Sequence, residues 1–259
     1  MLSYKKLIEK LIIISKDAGN AILDVYSSKD QDFGINYKED HSPLTIADKA
    51  SNDIICKDLM KLTPDIPILS EEGKSIDYKE RKDWDTFWLI DPLDGTKEFI
   101  KKNGEFTVNI ALIESGCPVL GIVHAPILNI TWYGSLNLGS FIIKDKKKIS
   151  INVETPADNQ TIKVVSSRSH SNNPKLENFL KNLDNHELVK MGSSIKICLV
   201  ADGSAHFYPR FGPTMEWDTA AAHAVVKYAG GNILDLNTDA ELIYNKVSLL
   251  NPEFLVHYQ

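Results

Sequence analysis

A short apolar run that ends in two acidic residues constrains the fold more than any other feature of the chain. Residues 87–90 (Phe-Trp-Leu-Ile) have the composition of a buried strand, and Asp91 and Pro92 follow directly. Because proline has no N–H to continue a ladder, the strand is predicted to stop at Asp91 and Pro92. Residues 94–96 (Asp-Gly-Thr) then place a second carboxylate, a turn glycine and a hydroxyl at the end of a core strand.

Oxygen ligands crowded at the end of a strand are typical of a Mg²⁺ site, which uses one or two carboxylates and keeps room for water and phosphate. The pattern D-x-x-D-G-T at residues 91–96 is also compatible with an Asp-rich turn that merely ends a strand. Phosphatases with an aspartyl-phosphate nucleophile are excluded, because their two acids are two residues apart whereas Asp91 and Asp94 are three apart. A P-loop is excluded as well, since the sequence contains no G-x-x-x-x-G-K-[ST].

Composition and charge narrow the class of protein. With 259 residues, 43% of them hydrophobic, the chain is predicted to form one large domain or two intimate lobes. The net charge of −6 argues against a partner that is a nucleic-acid polymer. Three widely spaced cysteines favour free thiols in a reducing compartment over a disulfide frame or a zinc site. The apolar run at residues 11–14 is too short for a signal peptide or a transmembrane segment, so we expect a cytoplasmic protein.

Hydrophobic periodicity predicts the order of the elements. Helices are expected at residues 4–26, 45–60, 174–183, 193–200 and 218–229, and strands at 67–70, 87–90, 106–114, 118–124, 131–133, 141–143, 161–165, 206–208 and 233–236. Residues 75–85 are expected to be a charged surface connection, and the lysine run 146–148 a solvated turn. This irregular alternation, with a hairpin-rich first half, predicts a layered α+β fold and not a Rossmann fold.

Acidic residues lie at the ends of four predicted elements. They are Glu71 and Glu72 after one strand, Asp91 and Asp94 after the next, and Asp48 and Asp218 at the starts of helices. Taken singly, Asp48 and Asp218 are equally well explained as helix caps, and the two glutamates as a solvated pair. All six could nevertheless meet at one edge of a sheet, where their mutual repulsion would require a cation.

Three segments together resemble the metal-site motifs of the inositol monophosphatase-like superfamily. They are Glu71-Glu72, residues 91–96 and residues 217–221 (Trp-Asp-Thr-Ala-Ala), in the family's order across nearly the whole chain. Within the superfamily, residues 94–100, 167–170, 192–196 and 208–214 resemble the CysQ-type 3'(2'),5'-bisphosphate nucleotidases. The resemblance implies a layered αβαβα sandwich over residues 1–259, with an N-terminal metal-site lobe (1–155) and a C-terminal substrate lobe (156–259).

The resemblance also implies an activity. Enzymes of this type remove the 3'-phosphate of adenosine 3',5'-bisphosphate (PAP), which gives AMP and phosphate, and some convert PAPS to APS. They thereby recycle a by-product of sulfur assimilation, require Mg²⁺ and are typically lithium-sensitive. Two alternatives remain open at this point: an inositol monophosphatase, and a catalytically silent sensor that binds metal or nucleotide. A monomer is favoured over a homodimer, and peripheral association with the inner membrane stays open.

Roles for individual residues follow by motif. The resemblance implies two or three Mg²⁺ ions, held by Glu71, Asp91, Asp94, Asp218 and the backbone carbonyl of Leu93. Thr96, oriented by Asp48, would align or deprotonate a water, and Glu72 would assist at another metal. Contacts to the substrate are expected from Glu71, Leu93, Asp94, Gly95, Thr96 and Asp218.

The second phosphate of a bisphosphonucleotide needs a cation other than Mg²⁺. Lys196 and Arg210, with the hydroxyl of Ser193 or Ser194, are the candidates for the 5'-phosphate. A helix that begins near Ser193 would also offer free N–H groups to an anion. On the helix pattern alone a surface lysine is the favoured explanation of Lys196, and it is the resemblance that favours the phosphate contact. His170 is a candidate contact to ribose or base, and its alternative is a structural role.

Overall fold

Two β-sheets with helices between and around them make up the fold of the computed structural model, which describes residues 2–28, 33–37, 43–168 and 173–258. The helices in these ranges are α1 (Tyr4–Tyr26), α2 (Ile46–Leu62), α3 (Tyr78–Arg81), α4 (Thr96–Ile100), α5 (Pro174–Lys181), α6 (Ile195–Ala201) and α7 (Glu216–Tyr228). None of them is both long enough and apolar enough to cross a membrane.

The strands in the described ranges include all nine of those predicted. They are β1 (Asn36–Tyr37), β2 (Pro43–Leu44), β3 (Ile68–Ser70), β4 (Thr86–Asp94), β5 (Thr107–Glu114), β6 (Cys117–Ala125), β7 (Ile130–Ser135), β8 (Gly139–Lys144), β9 (Lys147–Ile151), β10 (Ile162–Ser167), β11 (His186–Met191), β12 (Phe207–Arg210), β13 (Gly231–Asp235) and β14 (Phe254–Tyr258). β1, β2, β9, β11 and β14 were not predicted.

The larger sheet has seven strands in the order β3-β4-β5-β6-β7-β8-β9. β3 runs parallel to β4, and each later neighbour is antiparallel. On β5, Val108, Ile110 and Leu112 pack in the core that contains α1 and α2. Ala111 and Ile113 pack in the opposite core, with α6 and α7. The predicted alternation is therefore confirmed, and both faces of the sheet are buried.

The smaller sheet has the order β11-β10-β12-β14-β13, with the first three strands parallel. α6 and α7 lie between the two sheets, because their apolar residues share one core with both. α5 covers the outer face, where Phe179 contacts Phe207 of β12 with ring centroids 5.8 Å apart. Helices, sheet, helices, sheet and helix thus follow one another in layers, so the predicted layered α+β fold is confirmed.

β4 continues further than predicted. The strand was expected to stop at Asp91 and Pro92, but it extends to Asp94, which pairs with Thr107. Pairing is interrupted between Asp91 and Asp94 because Pro92 cannot donate, and the interruption is a bulge. The bulge bends the strand at the two acids that the sequence singled out.

Two charged segments also differ from expectation. Residues 75–85 contain α3, and Arg81 in that helix is buried instead of solvated. Its guanidinium donates to the Asn245 side chain and to the carbonyls of Lys246 and Val247, which makes burial of the charge tolerable. β9 begins at Lys147, so the lysine run is part strand, paired with β8.

Candidate active site

The bulge in β4 is held by side chains from two directions. Asp91 is buried, and its Oδ1 accepts a hydrogen bond from the N–H of Leu93 (3.0 Å). Ser51 on α2 donates to the carbonyl of Pro92 (2.7 Å). Because the backbone of residues 91–93 is fixed in this way, the carbonyl oxygen of Leu93 comes within 3.3 Å of Thr96 Oγ1.

Gly95 turns the chain from the bulge into α4. Its φ of +96° lies in the left-handed region, which glycine adopts without a steric penalty. Thr96 is the first residue of α4, and its Oγ1 lies 3.2 Å from Asp48 Oδ1. The predicted contact between Asp48 and Thr96 is therefore present.

Asp48 has two roles at once. Its Oδ2 accepts from the N–H (2.7 Å) and the hydroxyl (2.6 Å) of Thr45, which completes the predicted capping box of α2. Its Oδ1 is left for Thr96. Burial raises the pKa of Asp48 to about 6, opposed by the Thr45 hydrogen bonds and reinforced by the charges of Glu72 and Glu71. The helix-cap explanation and the Thr96 contact are thus both correct, each for one oxygen.

Four other carboxylates form a cluster beside this pair. Burial raises the pKa of Asp91 well above its usual range, and the negative charges of Glu71, Asp94 and Asp218 raise it further. The pKa of Asp218 is likewise raised by burial and then by Asp94 and Glu71. Asp218 also caps α7, since its Oδ2 accepts from the N–H of Met215 (2.9 Å). The structure therefore brings Glu71, Asp91, Asp94 and Asp218 into electrostatic contact.

The donor set of this cluster suits a hard divalent cation. Carboxylate and carbonyl oxygens are magnesium ligands, and a cation among buried carboxylates relieves the repulsion that raises their pKa values. Within the described ranges, no three acidic, histidine or cysteine side chains converge on one point as a ready-made cage. Mg²⁺ does not require one, because it commonly binds through one or two carboxylates with waters and phosphate oxygens. The residues therefore fit an open magnesium site and do not fit a closed all-protein cage.

A pocket adjoins the cluster. Its lining includes Asp94, Gly95, Glu98, Ser167, Gly192, Ser193, Ser194, Lys196, Tyr208, Arg210, Thr214, Asp218 and Thr219. Lys196 is buried, so the alternative of a surface lysine is wrong. Its Nζ lies 5.5 Å from the centre of the Tyr208 ring and donates to the carbonyl of Ser193 (2.5 Å). Burial lowers the pKa of Lys196 to about 8, against the opposing charge of Asp94.

The start of α6 differs from the prediction. The helix begins at Ile195, two residues later than expected, and Ser193 lies in the left-handed region with φ +47°. The N–H of Ser194 donates to Asp94 Oδ2 (2.5 Å), and that of Ile195 is directed to Ser193 Oγ (3.4 Å). The expectation of free N–H groups near Ser193 is therefore wrong, because the Asp94 carboxylate and the Ser193 side chain already accept from them.

The remaining candidate residues differ in where they lie relative to the pocket. Arg210 lines the pocket and donates through Nη2 to the carbonyl of Pro213 (3.0 Å). The hydroxyl of Ser194 lies 2.8 Å from Asn109 Oδ1 and 2.8 Å from Thr107 Oγ1, so it already has partners on β5. Glu72 acts on the pKa of Asp48 through its charge. His170 lies outside the described residues.

Sequence reasoning missed Asn109 and Ser51, which support the site. Asn109 is buried on β5, where its Oδ1 accepts from the Ser194 hydroxyl (2.8 Å), and its proximity lowers the pKa of Asp94. A signal for Asn109 existed, since it is a polar residue within the apolar run 106–113. Ser51 had no such signal, because a serine on a helix is normally exposed.

Known proteins are similar to this chain over nearly its whole length. A model of the inositol monophosphatase family matches residues 4–257. A Salmonella typhimurium protein named 3'(2'),5'-bisphosphate nucleotidase CysQ is 44% identical over 251 residues, which cover 96% of this chain and 99% of the relative. The Escherichia coli K12 protein of the same name is 43% identical over 253 residues, covering 96% of this chain and 99% of that protein.

The fold has a matching solved structure. The crystal structure of CysQ from Bacteroides thetaiotaomicron, described as a bacterial member of the inositol monophosphatase family, superposes with a TM-score of 0.84. Its sequence is 42% identical, and the match covers 95% of each chain. On the family match, the close relatives and the shared fold, this chain belongs to the inositol monophosphatase family.

Proposed function

We propose that the chain is a Mg²⁺-dependent 3'(2'),5'-bisphosphate nucleotidase. It hydrolyses the 3'-phosphate of PAP to AMP and phosphate, and acts on PAPS to give APS. One observation carries the proposal: Asp94 and Asp218, two members of the four-carboxylate cluster, line the same pocket as the buried cation Lys196. A substrate with two separate phosphates needs such an arrangement, with metal at one phosphate and a protein cation at the other. The names of the relatives support the same substrate class.

Glu71, Asp91, Asp94, Asp218 and the carbonyl of Leu93 would hold two or three Mg²⁺ ions. When bound, such ions neutralise phosphoryl oxygens and lower the pKa of a coordinated water. Clustering of buried acids around Asp91 supports this assignment, since their raised pKa values show how strongly the cluster disfavours its own negative charge.

Asp48 and Thr96 orient the attacking water. Asp48 accepts a hydrogen bond from the Thr96 hydroxyl (3.2 Å), which leaves the oxygen lone pairs of Thr96 to accept a hydrogen bond from water. With a pKa of about 6, Asp48 is ionised at neutral pH and is able to accept. Glu72 assists from the adjacent turn after β3, where its charge already acts on Asp48.

Lys196 and Arg210 bind the 5'-phosphate, with the Ser193 hydroxyl beside them. Both cations line the pocket. They are close enough that the positive charge of Arg210 helps to lower the pKa of Lys196. Glu71, Leu93, Asp94, Gly95, Thr96 and Asp218 border the reacting phosphate. His170, outside the described residues, stays a candidate contact to the ribose or the base.

The two lobes supply different parts of the proposed site. Residues 1–155 supply most of the acid cluster, and residues 156–259 supply the cations for the second phosphate. Asp218 is the exception, because it reaches the acid cluster from α7 of the C-terminal lobe. The substrate is a small molecule.

Phosphate release from PAP and from inositol 1-phosphate, measured with the same Mg²⁺ concentration, tests the proposal. We expect kcat/KM for PAP to exceed that for inositol 1-phosphate by about 100-fold, since only PAP has a second anion for Lys196 and Arg210. A chelator should abolish both activities. Preference for inositol 1-phosphate would replace the proposal with the monophosphatase alternative. Nucleotide binding without phosphate release at any Mg²⁺ concentration would instead indicate a silent sensor.

A further inference from the structure

Glu105, which contacts the pocket residue Gly192, connects the two sheets through a single carboxylate. It directly precedes Phe106 and β5, in the larger sheet. Its oxygens accept from Arg168 Nη2 (2.5 Å) and Nε (2.7 Å), and from the N–H of Gly192 (2.8 Å). Arg168 follows β10 and Gly192 follows β11, so both donors belong to the smaller sheet. A bidentate arginine and a backbone donor on one carboxylate fix its direction more firmly than an ordinary surface ion pair.

The backbone around Glu105 is packed against two glycines that open onto the pocket. A Cβ added to Gly192 would lie 2.8 Å from the Glu105 carbonyl oxygen, closer than atoms allow. A Cβ added to Gly95 would lie 3.0 Å from the same oxygen and 3.3 Å from the Cβ of Ser193. The turn after Asp94 and the turn before α6 therefore meet on Glu105.

The residue after Gly192 has a conformation that needs support. Ser193 has φ +47°, in the left-handed region that non-glycine residues rarely adopt. Its carbonyl accepts from Lys196 Nζ, so the backbone direction at Ser193 also sets where the ammonium group lies. The hydrogen bond from Gly192 to Glu105 is the neighbouring constraint on this turn. Strained turns persist only where surrounding contacts hold them.

We infer that Glu105 is a positioning residue that sets the distance between the acid cluster and Lys196. It does so by fixing residues 192–193 against Gly95, and Arg168 holds the Glu105 carboxylate in place. This inference rests on the proposed function, since it concerns how the two phosphates of one substrate are held apart. Inositol 1-phosphate binds at the acid cluster alone and does not depend on where Lys196 lies, whereas AMP, which has only the 5'-phosphate, does depend on it.

Kinetics of Glu105→Gln with two substrates test the inference. We expect KM for PAP to rise about 10-fold, equivalent to ~1.4 kcal/mol, with kcat within about twofold. KM for inositol 1-phosphate should not change. Calorimetric titration of AMP into metal-free protein supplies a readout without turnover, because AMP retains the 5'-phosphate, and its Kd should weaken about as much. Arg168→Gln should give a smaller shift in the same direction, because the Gly192 hydrogen bond remains.

A matched control is Glu253→Gln, which removes the ion pair between Glu253, just before β14, and Lys175 of α5 (2.7 Å). It should leave every constant unchanged. Equal losses on PAP and inositol 1-phosphate, or no change in KM for PAP and in Kd for AMP, would overturn the inference. If Glu105→Gln does not fold, Arg168→Gln decides by the same two criteria. A wild-type protein inactive on PAP would instead refute the proposed function, while the AMP titration would still report on Glu105.

Discussion

The N-termini of α2 and α7 have the same local design and different surroundings. Asp48 and Asp218 are each the third residue of their helix, and each accepts from the backbone N–H of the residue at the N-cap. The free oxygen of Asp48 meets a hydroxyl, that of Thr96. Asp218 faces the charges of Asp94 and Glu71. One capping motif thus supports two chemistries, an acceptor for a hydroxyl proton and a member of an acid cluster.

The comparison shows why a helix cap is not evidence against function. A carboxylate has two oxygens, and a cap uses one of them. The cap also fixes the side-chain direction, because the backbone N–H that it binds cannot move without unwinding the first turn. At both helices the structural role therefore orients the oxygen that is free for chemistry.

Asp218→Asn should have the largest effect, because it removes a charge from the cluster and keeps an amide oxygen for the cap. We expect kcat/KM for PAP to fall by about 10⁴-fold and the apparent Mg²⁺ requirement to rise. The free energy of unfolding of the metal-free protein should stay the same or increase, since repulsion among buried carboxylates is reduced. Phosphate-release kinetics and thermal unfolding measure both. A loss of activity below tenfold would remove Asp218 from the proposed metal site.

Asp48→Asn should have the second largest effect. An amide has one acceptor oxygen, so the variant can cap α2 or accept from Thr96, but not both. We expect kcat to fall by about 10²- to 10³-fold, with the KM for Mg²⁺ little changed. That unchanged metal requirement is what separates it from Asp218→Asn. If kcat remained within a few-fold of wild type, Asp48 would be a cap only.

Measured carboxyl pKa values of Asp48 and Asp218 in the metal-free protein would allow the two helix N-termini to be compared without mutation. Asp48 should titrate near pH 6, above its usual 3.8, so its ionisation lowers folding stability as pH rises from about 4 to beyond 6. Asp218 should titrate higher than its usual range for the same reason, burial, and also because of its acidic neighbours. Adding Mg²⁺ should lower the pKa of Asp218 far more than that of Asp48, as followed by carbon-13 NMR of the carboxyl groups. Equal shifts would contradict the division of roles.

Thr45→Ala should have the smallest effect. It removes the hydroxyl that donates to Asp48 Oδ2 and accepts from the N–H of Ala47. The free energy of unfolding should fall by about 1 kcal/mol, the usual cost of losing a cap. Activity should stay within tenfold, because the backbone N–H of Thr45 still binds Asp48. Denaturant unfolding and PAP kinetics check the two values, and a large loss of activity without a loss of stability would show that the hydroxyl itself takes part in catalysis.

Local sequence was sufficient to predict an element wherever one apolar face or one turn determines its structure. α1 has its predicted bounds, Thr45 caps α2 as expected, and β5 alternates as its pattern indicates. The weaker predictions involved segments whose partners lie far away in the chain. Arg81 is buried because the loop around Asn245 supplies acceptors, and no property of residues 75–85 reveals that loop.

For the candidate site, the sequence by itself determined which acids end core elements and in what order. It predicted the contact between Asp48 and Thr96 through the family resemblance, and the structure contains that contact. Only the tertiary structure decided that the N–H of Ser194 binds Asp94, that Lys196 is buried over Tyr208, and that Glu105 joins the two turns of the pocket. The physical reason is that spacing along the chain specifies contacts within a turn or a hairpin, whereas these three contacts exist only because two sheets pack on α6 and α7.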